Sequence, residues 1–391
     1  MLYGIQFRLY PNAEQREFFA KSFGCVRWVY NNALAHCQQQ REAGEKHPNS
    51  AALERRLPPL KSEFEWLKDV DSQALKEACK DVDSAFKHFF RRVKNGEKAG
   101  YPKFKSKHNI RQSFTCKQNL HINHDARAMK LPKIGWVKFR GGRTFEGKIK
   151  RIIVRQLASG IYMATALIED ERESPAEPTL NLQPLGIDVG CKTEGLTHQF
   201  AALSNGEVVH SPALLKRYRK QMTRLQRQLS RKKKGSANRN KLKQRIAKLH
   251  WRIGNMRNDF LHKFTHQLTR DNQAIAVEDL NVKSMMTKPK PKQDESGNYI
   301  QNGASRKAGL NRSLADVALG EFFRQLEYKC AWRGVALLKI GRFEPSSKTC
   351  SACGLVNKEL TLAMREWQCA CGANHHRDIN AAINIANMAI V

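Results

Sequence analysis

The chain has 391 residues, 41% of them hydrophobic, which is too much for one ordinary core and predicts two or three domains. Its formal net charge is +33, from 69 Lys+Arg against 36 Asp+Glu. Real apolar content excludes a disordered polycation, and no run reaches the ~18–20 apolar residues of a membrane span. The opening MLYGIQFRLYPNAEQ also lacks the basic head and apolar run of a signal peptide, so a cytoplasmic location is expected.

In chain order, residues 3–11 alternate like a strand. From the N-cap Asn12 onward, Phe18, Phe19, Phe23, Val26, Val29, Tyr30 and Leu34 recur at helical spacing. A polar, Pro-containing loop over 44–60 leads to a second helix over 72–94, with Ala74, Leu75, Ala78, Val82, Ala85, Phe86, Phe89 and Phe90 on one side. Its aromatic residues read as core. The period then changes to two. MKLPKIGWVKFR, KIKRIIVRQ and GIYMATALIED predict successive strands of a small barrel or sheet, which the first strand could join. The Pro-rich, charged 171–184 reads as a linker.

After it, LGIDVG is a short buried strand, and FAALSNGEVVHS a hairpin turning at Asn205-Gly206. Two amphipathic helices follow, one carried by Leu215, Tyr218, Met222, Leu225 and Leu229, the other by Leu242, Ile246, Leu249, Ile253, Met256, Phe260 and Phe264. AIAVEDL is then a strand, 283–310 a long polar loop, 312–332 a helix and GVALLKI another strand. Two cysteine pairs and a final helix end the order, which is that of a mixed α/β domain.

Charge is concentrated in this frame. Residues 86–150 hold 18 Lys+Arg and three acids, and residues 211–270 hold 19 and one, so these two segments carry the whole excess. Positive charge gathered on folded elements points to a polyphosphate partner, above all nucleic acid. No membrane-inserting feature accompanies it.

Three acids stand at element ends: Asp188 in GIDVG, Glu278 at the end of AIAVEDL, and Asp378 opening the last helix in RDINAAINI. Strand ends of a mixed sheet can share a site. Carboxylates there are the hard oxygen ligands for two Mg²⁺ ions ~3.5–4 Å apart, the arrangement that hydrolyses phosphodiesters. Asp279 competes with Glu278 for this role, since alternation turns the two to opposite faces without choosing between them.

Cys350-x2-Cys353 and Cys369-x-Cys371, fifteen residues apart, with Gly354 and Gly372 after each pair, have structural-zinc spacing. The short second pair leaves His375 or His376 as other donors. A four-thiolate zinc has no open position for water, so its role is to staple a loop at the entry to the Asp378 helix. The other six cysteines, Cys25, Cys37, Cys79, Cys116, Cys191 and Cys330, are scattered and read as reduced thiols.

These blocks resemble TnpB, the transposon-encoded RNA-guided DNA endonuclease family ancestral to type V CRISPR effectors. The likeness runs through YGIQFRLYPNAEQ, YPKFKSKHNIRQSF, LPKIGWVKFRG, LGIDVG, IAVEDLNVKSM, NRSLADVALGEFFRQLEYK and SSKTCSACG. It ends in WQCACGANHHRDINAAINI, the most specific block. It implies a multidomain α/β protein. Residues 185–391 would be an RNase H-like (RuvC) nuclease, with a basic helical hairpin at 211–270 and a zinc-binding insertion at 345–375. Residues 1–11 and 96–170 would be a β-barrel-like wedge domain, and 12–95 a helical recognition domain.

It also implies Asp188, Glu278 and Asp378 as catalytic ligands of two Mg²⁺, favouring Glu278 over Asp279, and Cys350, Cys353, Cys369 and Cys371 as Zn²⁺ ligands. The partners implied are a guide RNA from the transposon end and double-stranded target DNA beside a short motif. A monomer near the prokaryotic nucleoid is implied as well. A nuclease-independent RNA-guided repressor is the other class the charge would serve, though three acids in place argue for cutting. A transposase with His-x-His and a tyrosine nucleophile is a third, and no such pattern occurs. Two departures from the family are His376, where an aspartate is common, and the long connection CKTEGLTHQ over 191–199.

Overall fold

Alternating burial in β1 (Leu2–Leu9), with Tyr3, Ile5, Phe7 and Leu9 inward, makes it the spine of the first unit of a computed structural model. The structure describes residues 1–108, 112–171, 175, 183–361 and 364–390. Contacts divide the chain into Met1–Arg172 and Glu173–Val391. Most of the expected linker lies outside the described residues.

In the first unit, α1 (Ala13–Glu42) starts at a capping box, Asn12 Oδ1 accepting from the Gln15 amide and the Gln15 side chain from the Asn12 amide. Short helices α2 (Ser50–Arg55) and α3 (Leu57–Glu63) interrupt the predicted loop before α4 (Ser72–Lys94). Strands β2 (Gln112–Cys116), β3 (His121–Asn123), β4 (Ala128–Leu131), β5 (Gly135–Arg140), β6 (Lys148–Gln156) and β7 (Tyr162–Glu169) join β1 in one antiparallel sheet ordered β2-β6-β7-β1-β5-β4-β3. Among the described residues β2 and β3 are the edges, so of the expected barrel or sheet the open sheet is what forms. Phe19 and Phe23 of α1 meet Phe114 of β2, which seats the helix on the sheet. Of the predicted stripes, Phe18, Ala85 and Phe89 are half-buried and Phe90 is 51% exposed; the rest are core.

The second unit is built on a five-stranded sheet ordered β10-β9-β8-β11-β14, from β8 (Leu185–Glu194), β9 (Thr197–Leu203), β10 (Val208–Pro212), β11 (Ala274–Glu278) and β14 (Ala336–Ile340). β8, β11 and β14 run parallel; β9 and β10 return antiparallel. On one face Ile187, Phe200, Ile275 and Val277 pack against α6 (Ala237–Asp271) and α9 (Leu319–Arg333) through Leu261, Phe264, Phe322 and Leu326. On the other lies α10 (Arg377–Met388), with Ile385 on Ala276 and Ile340. Here a Cβ on Gly186 would come within 1.9 Å of the Ala382 carbonyl oxygen, so only glycine lets α10 approach β8 this closely. α5 (Leu214–Ser230) and α6 form the predicted basic hairpin, zipped by Leu225, Leu242, Leu249 and Ile253.

Three expectations change. The connection 191–199 is not a loop: β8 and β9 continue through it as a hairpin, with a bulge between Val189 and Lys192. The 283–310 segment holds α7 (Val282–Met285), the two-residue strands β12 (Lys292–Gln293) and β13 (Tyr299–Ile300), and the start of α8 (Ala304–Val317). The single helix expected over 312–332 is α8 plus α9, broken at Ala318, whose φ of 54° is left-handed. The break puts Leu314 and Val317 before it, and Leu319 and Phe322 after it, all into one core.

Candidate active site and cysteine cluster

Parallel pairing aligns Ile275, Ala276 and Val277 with Leu185, Gly186 and Ile187, so the next residues along the two strands are Glu278 and Asp188. Sequence distance is ninety residues; across the sheet they are neighbours, about one interstrand spacing of 4.8 Å apart at the backbone. α10 brings the third acid. Asp378 lies in its first turn, where the helix dipole favours a carboxylate, and the close approach of Gly186 to Ala382 and Ala386 further along α10 seats the helix on β8.

The electrostatics report the convergence. Asp188 is pushed well above the ordinary carboxylate range, first by the surrounding protein that desolvates it, then by repulsion from Glu278 and Asp378. Asp279 does not join them. It faces outward, its carboxylate 3.3 Å from Arg342, so the strand turns Glu278 and not Asp279 toward Asp188.

Each carboxylate has partners. Glu278 accepts a hydrogen bond from Ser346 Oγ at 2.8 Å. Asp378 accepts from Gln199 Nε2 at 2.9 Å, from Arg365 Nη1 at 2.7 and 3.0 Å, and from Arg377 Nε at 3.0 Å. These four partners escaped the sequence reading. Only the hairpin of β15 (Glu366–Gln368) and β16 (Asn374–His376) could have revealed Arg365: pairing Glu366 with His376 leaves the flanking Arg365 and Arg377 side by side, the Arg377 amide donating to the Arg365 carbonyl at 2.7 Å. The departure residue His376 merely ends that hairpin.

A cavity of about 840 Å³ opens beside the site, lined by Asp188, Lys192, Gln199, Lys348, Arg365 and Asp378. Glu278, covered by Ser346, does not line it. Nor do the three carboxylates converge as tightly as the thiols: among the described residues, only the cysteines form a ligand set with every atom within 4.8 Å of the others. The acid set still fits divalent cations. It has three hard oxygen donors, one of them destabilised as an anion by burial and then by its acidic neighbours, and Arg365 and Arg377 supply the positive charge at Asp378.

Cys350, Cys353, Cys369 and Cys371 form the tighter cluster. Sγ separations of 3.8 Å (Cys350–Cys371) and 3.6 Å (Cys353–Cys369) agree with the ~3.8 Å edge of a tetrahedron with 2.3 Å zinc–sulfur bonds. His375 Nε2 lies 3.0 Å from Cys350 Sγ, the place of a hydrogen-bond partner and not of a replacement ligand. Burial opposes the Cys350 thiolate, but the amides of Cys353 and Ala352 together with His375 bring its pKa down to about 6. Zinc fits this donor set. Trp367 and Leu360 supply a minimal core beside it.

Comparison with known proteins fits this layout. A family described as "Probable transposase" (OrfB_IS605) matches residues 167–288, and one described as "Cas12f1-like, TNB domain" matches 320–385. A third, described as "Helix-turn-helix domain", matches 1–46, where the structure has one strand and a single uninterrupted helix. A Streptomyces pristinaespiralis protein named "Putative RNA-guided DNA endonuclease" is 34% identical over 97% of this chain and 88% of its own length. The Escherichia coli (strain K12) protein InsQ, with the same description, is 33% identical over 98% and 91%. Among solved structures, a Cas12f1–sgRNA–target DNA complex matches with a TM-score of 0.52 at 15% identity, over 96% of this chain and 83% of that one. The mini-RNA-guided endonuclease CRISPR-Cas_phi3 matches with a TM-score of 0.56 at 10% identity, over 100% and 92%. At such identities these two show a shared fold.

Proposed function

Because the chain belongs to the TnpB family, we propose that it is an RNA-guided DNA endonuclease that hydrolyses the phosphodiester backbone of target DNA at Asp188, Glu278 and Asp378. One observation carries the reading: strand register and helix docking bring three acids, distant in sequence, together in a chain of net charge +33. Such crowding is unfavourable without cations.

The second unit would be the RNase H-like (RuvC) nuclease, and Asp188, Glu278 and Asp378 would hold two Mg²⁺ ions. Bound there, the ions supply a lowered pKa for the attacking water and charge neutralisation at the leaving oxygen. The chain's own residues do the rest. Gln199 fixes the orientation of the Asp378 carboxylate, Ser346 that of Glu278, and Lys192 and Lys348 draw a phosphate into the cavity. Arg365 and Arg377 balance the charge of Asp378. Zinc on the four cysteines would be structural, stiffening the segment that delivers Arg365 and Asp378.

The sheet of the first unit would serve as wedge and its helices as recognition lobe, with a guide RNA from the transposon end on the basic segments. Pairing would read the target and the protein a short adjacent motif. As a monomer the chain would carry one such site.

RNA that co-purifies with the protein is sequenced, and a plasmid bearing its complement beside randomised flanks is incubated with Mg²⁺ or EDTA. A defined RNA and Mg²⁺-dependent cutting next to one flank are expected. Sequence-heterogeneous RNA with no cutting would overturn the reading, whereas target binding without cutting would mark a repressor.

A further inference from the structure

The most exposed large apolar side chain among the described residues is Phe343, at 91%. It stands on a turn anchored at both ends to Glu278. Ile340, three residues before it, is the register partner of Glu278, and Ser346, three residues after it, hydrogen-bonds Glu278. Three residues of chain confine Phe343 to within about 11 Å of both anchors.

The turn that presents it is tied down. Arg342 donates to the Asp279 carbonyl at 3.0 Å and to its carboxylate at 3.3 Å. The Ser346 amide donates to the Glu344 carbonyl at 2.8 Å, and Pro345 accepts from the amides of Lys348 and Thr349. A ring left in water on a braced turn invites a partner. A protein interface would require a contiguous apolar patch, whereas the residues next to Phe343 in the chain, Arg342 and Glu344, are charged. One flat exposed ring, four residues from Ser347 of the cavity that Lys192, Lys348 and Arg365 also line, suits one flat nucleobase, since every base has a π face.

We propose that Phe343 touches the substrate: its ring stacks on a nucleobase of the single strand entering the Asp188–Glu278–Asp378 site, within about three nucleotides of the phosphate to be cut. This rests on the endonuclease reading, and the test separates the two. In single-turnover cutting by the complex with its co-purified RNA, Phe343→Ala slows the rate about tenfold or more and Phe343→Leu does the same. Phe343→Trp restores it. An abasic nucleotide at one position near the cut slows the protein with Phe343 equally and adds nothing to the Phe343→Ala loss.

A second arm does not depend on cutting. In an Asp188→Ala background, a target strand carrying 2-aminopurine at that position is quenched on binding, and Phe343→Ala removes the quenching. Equal rates for Phe343 and Phe343→Ala, full activity of Phe343→Leu, or quenching untouched by Phe343→Ala would overturn the proposal. A self-association equilibrium that shifts with Phe343→Ala would instead assign the ring to a second copy. Quenching without any cutting would uphold the stack while refuting the nuclease.

Discussion

Gln199 Nε2 lies 2.9 Å from Asp378 Oδ2, although 179 residues separate them in sequence. Both strands flanking β9 are irregular opposite this point: β8 bulges between Val189 and Lys192, and β10 shifts register between Val209 and His210. Bulges beside a site re-aim side chains, and here the aim is at a carboxylate whose orientation sets how it can meet a cation.

Gln199→Leu is therefore expected to raise the Mg²⁺ concentration needed for half-maximal cutting by about tenfold, within the range found when partners of metal ligands are removed. Melting temperature and RNA binding should stay unchanged. A Mg²⁺ titration at saturating target checks this, and an unshifted midpoint would leave Gln199 without a role.

Asp188→Ala and Glu278→Ala should each reduce cutting by about a thousandfold or more, with guide RNA still bound. Asp279→Ala, which removes only an exposed pair with Arg342, should cut within about twofold of the unaltered protein. Loss of RNA binding with the first two changes would make the acids structural. Equal loss with the third would return the choice between neighbours to where alternation left it.

Cys350→Ser should lower bound zinc from one ion per chain to none and lower melting temperature and cutting together, because the cluster's own core is little more than Trp367 and Leu360. Metal analysis beside differential scanning calorimetry tests this. Unchanged melting in a zinc-free variant would refute a structural zinc.

Asp316 is buried and accepts from His198 Nε2 at 3.1 Å, the Leu215 amide at 2.8 Å and Arg257 Nη2 at 3.1 Å, joining α8 to β9 and to both helices of the basic hairpin. Burial alone would raise its pKa. Those donors outweigh burial and hold it below the ordinary carboxylate value. A carboxylate depressed on folding contributes stability that is complete above its unfolded pKa of about 3.9 and fades as pH falls through the folded value. Asp316→Asn should accordingly destabilise by roughly 2–3 kcal/mol at pH 7, with the gap narrowing below about pH 4. Urea unfolding at several pH values would show it; a pH-independent gap would contradict the linkage.

Much of this protein was legible in the chain. Period-three-and-four stripes located α1, α4, α5 and α6, since a helix must hide one face whatever its neighbours are. Thiolate spacing located the cysteine cluster, because both pairs lie within one short segment. The acids could be picked out as candidates because they sit at element ends. Strand alternation could not choose Glu278 over Asp279, which only the family resemblance favoured, and the sequence could not bring Arg365 and Gln199 to Asp378 or break the helix at Ala318. Those depend on strand register, on hairpin pairing and on how α10 settles against Gly186. Local order follows from short-range periodicity and sterics, whereas the meeting of distant side chains is fixed only when sheets and helices pack.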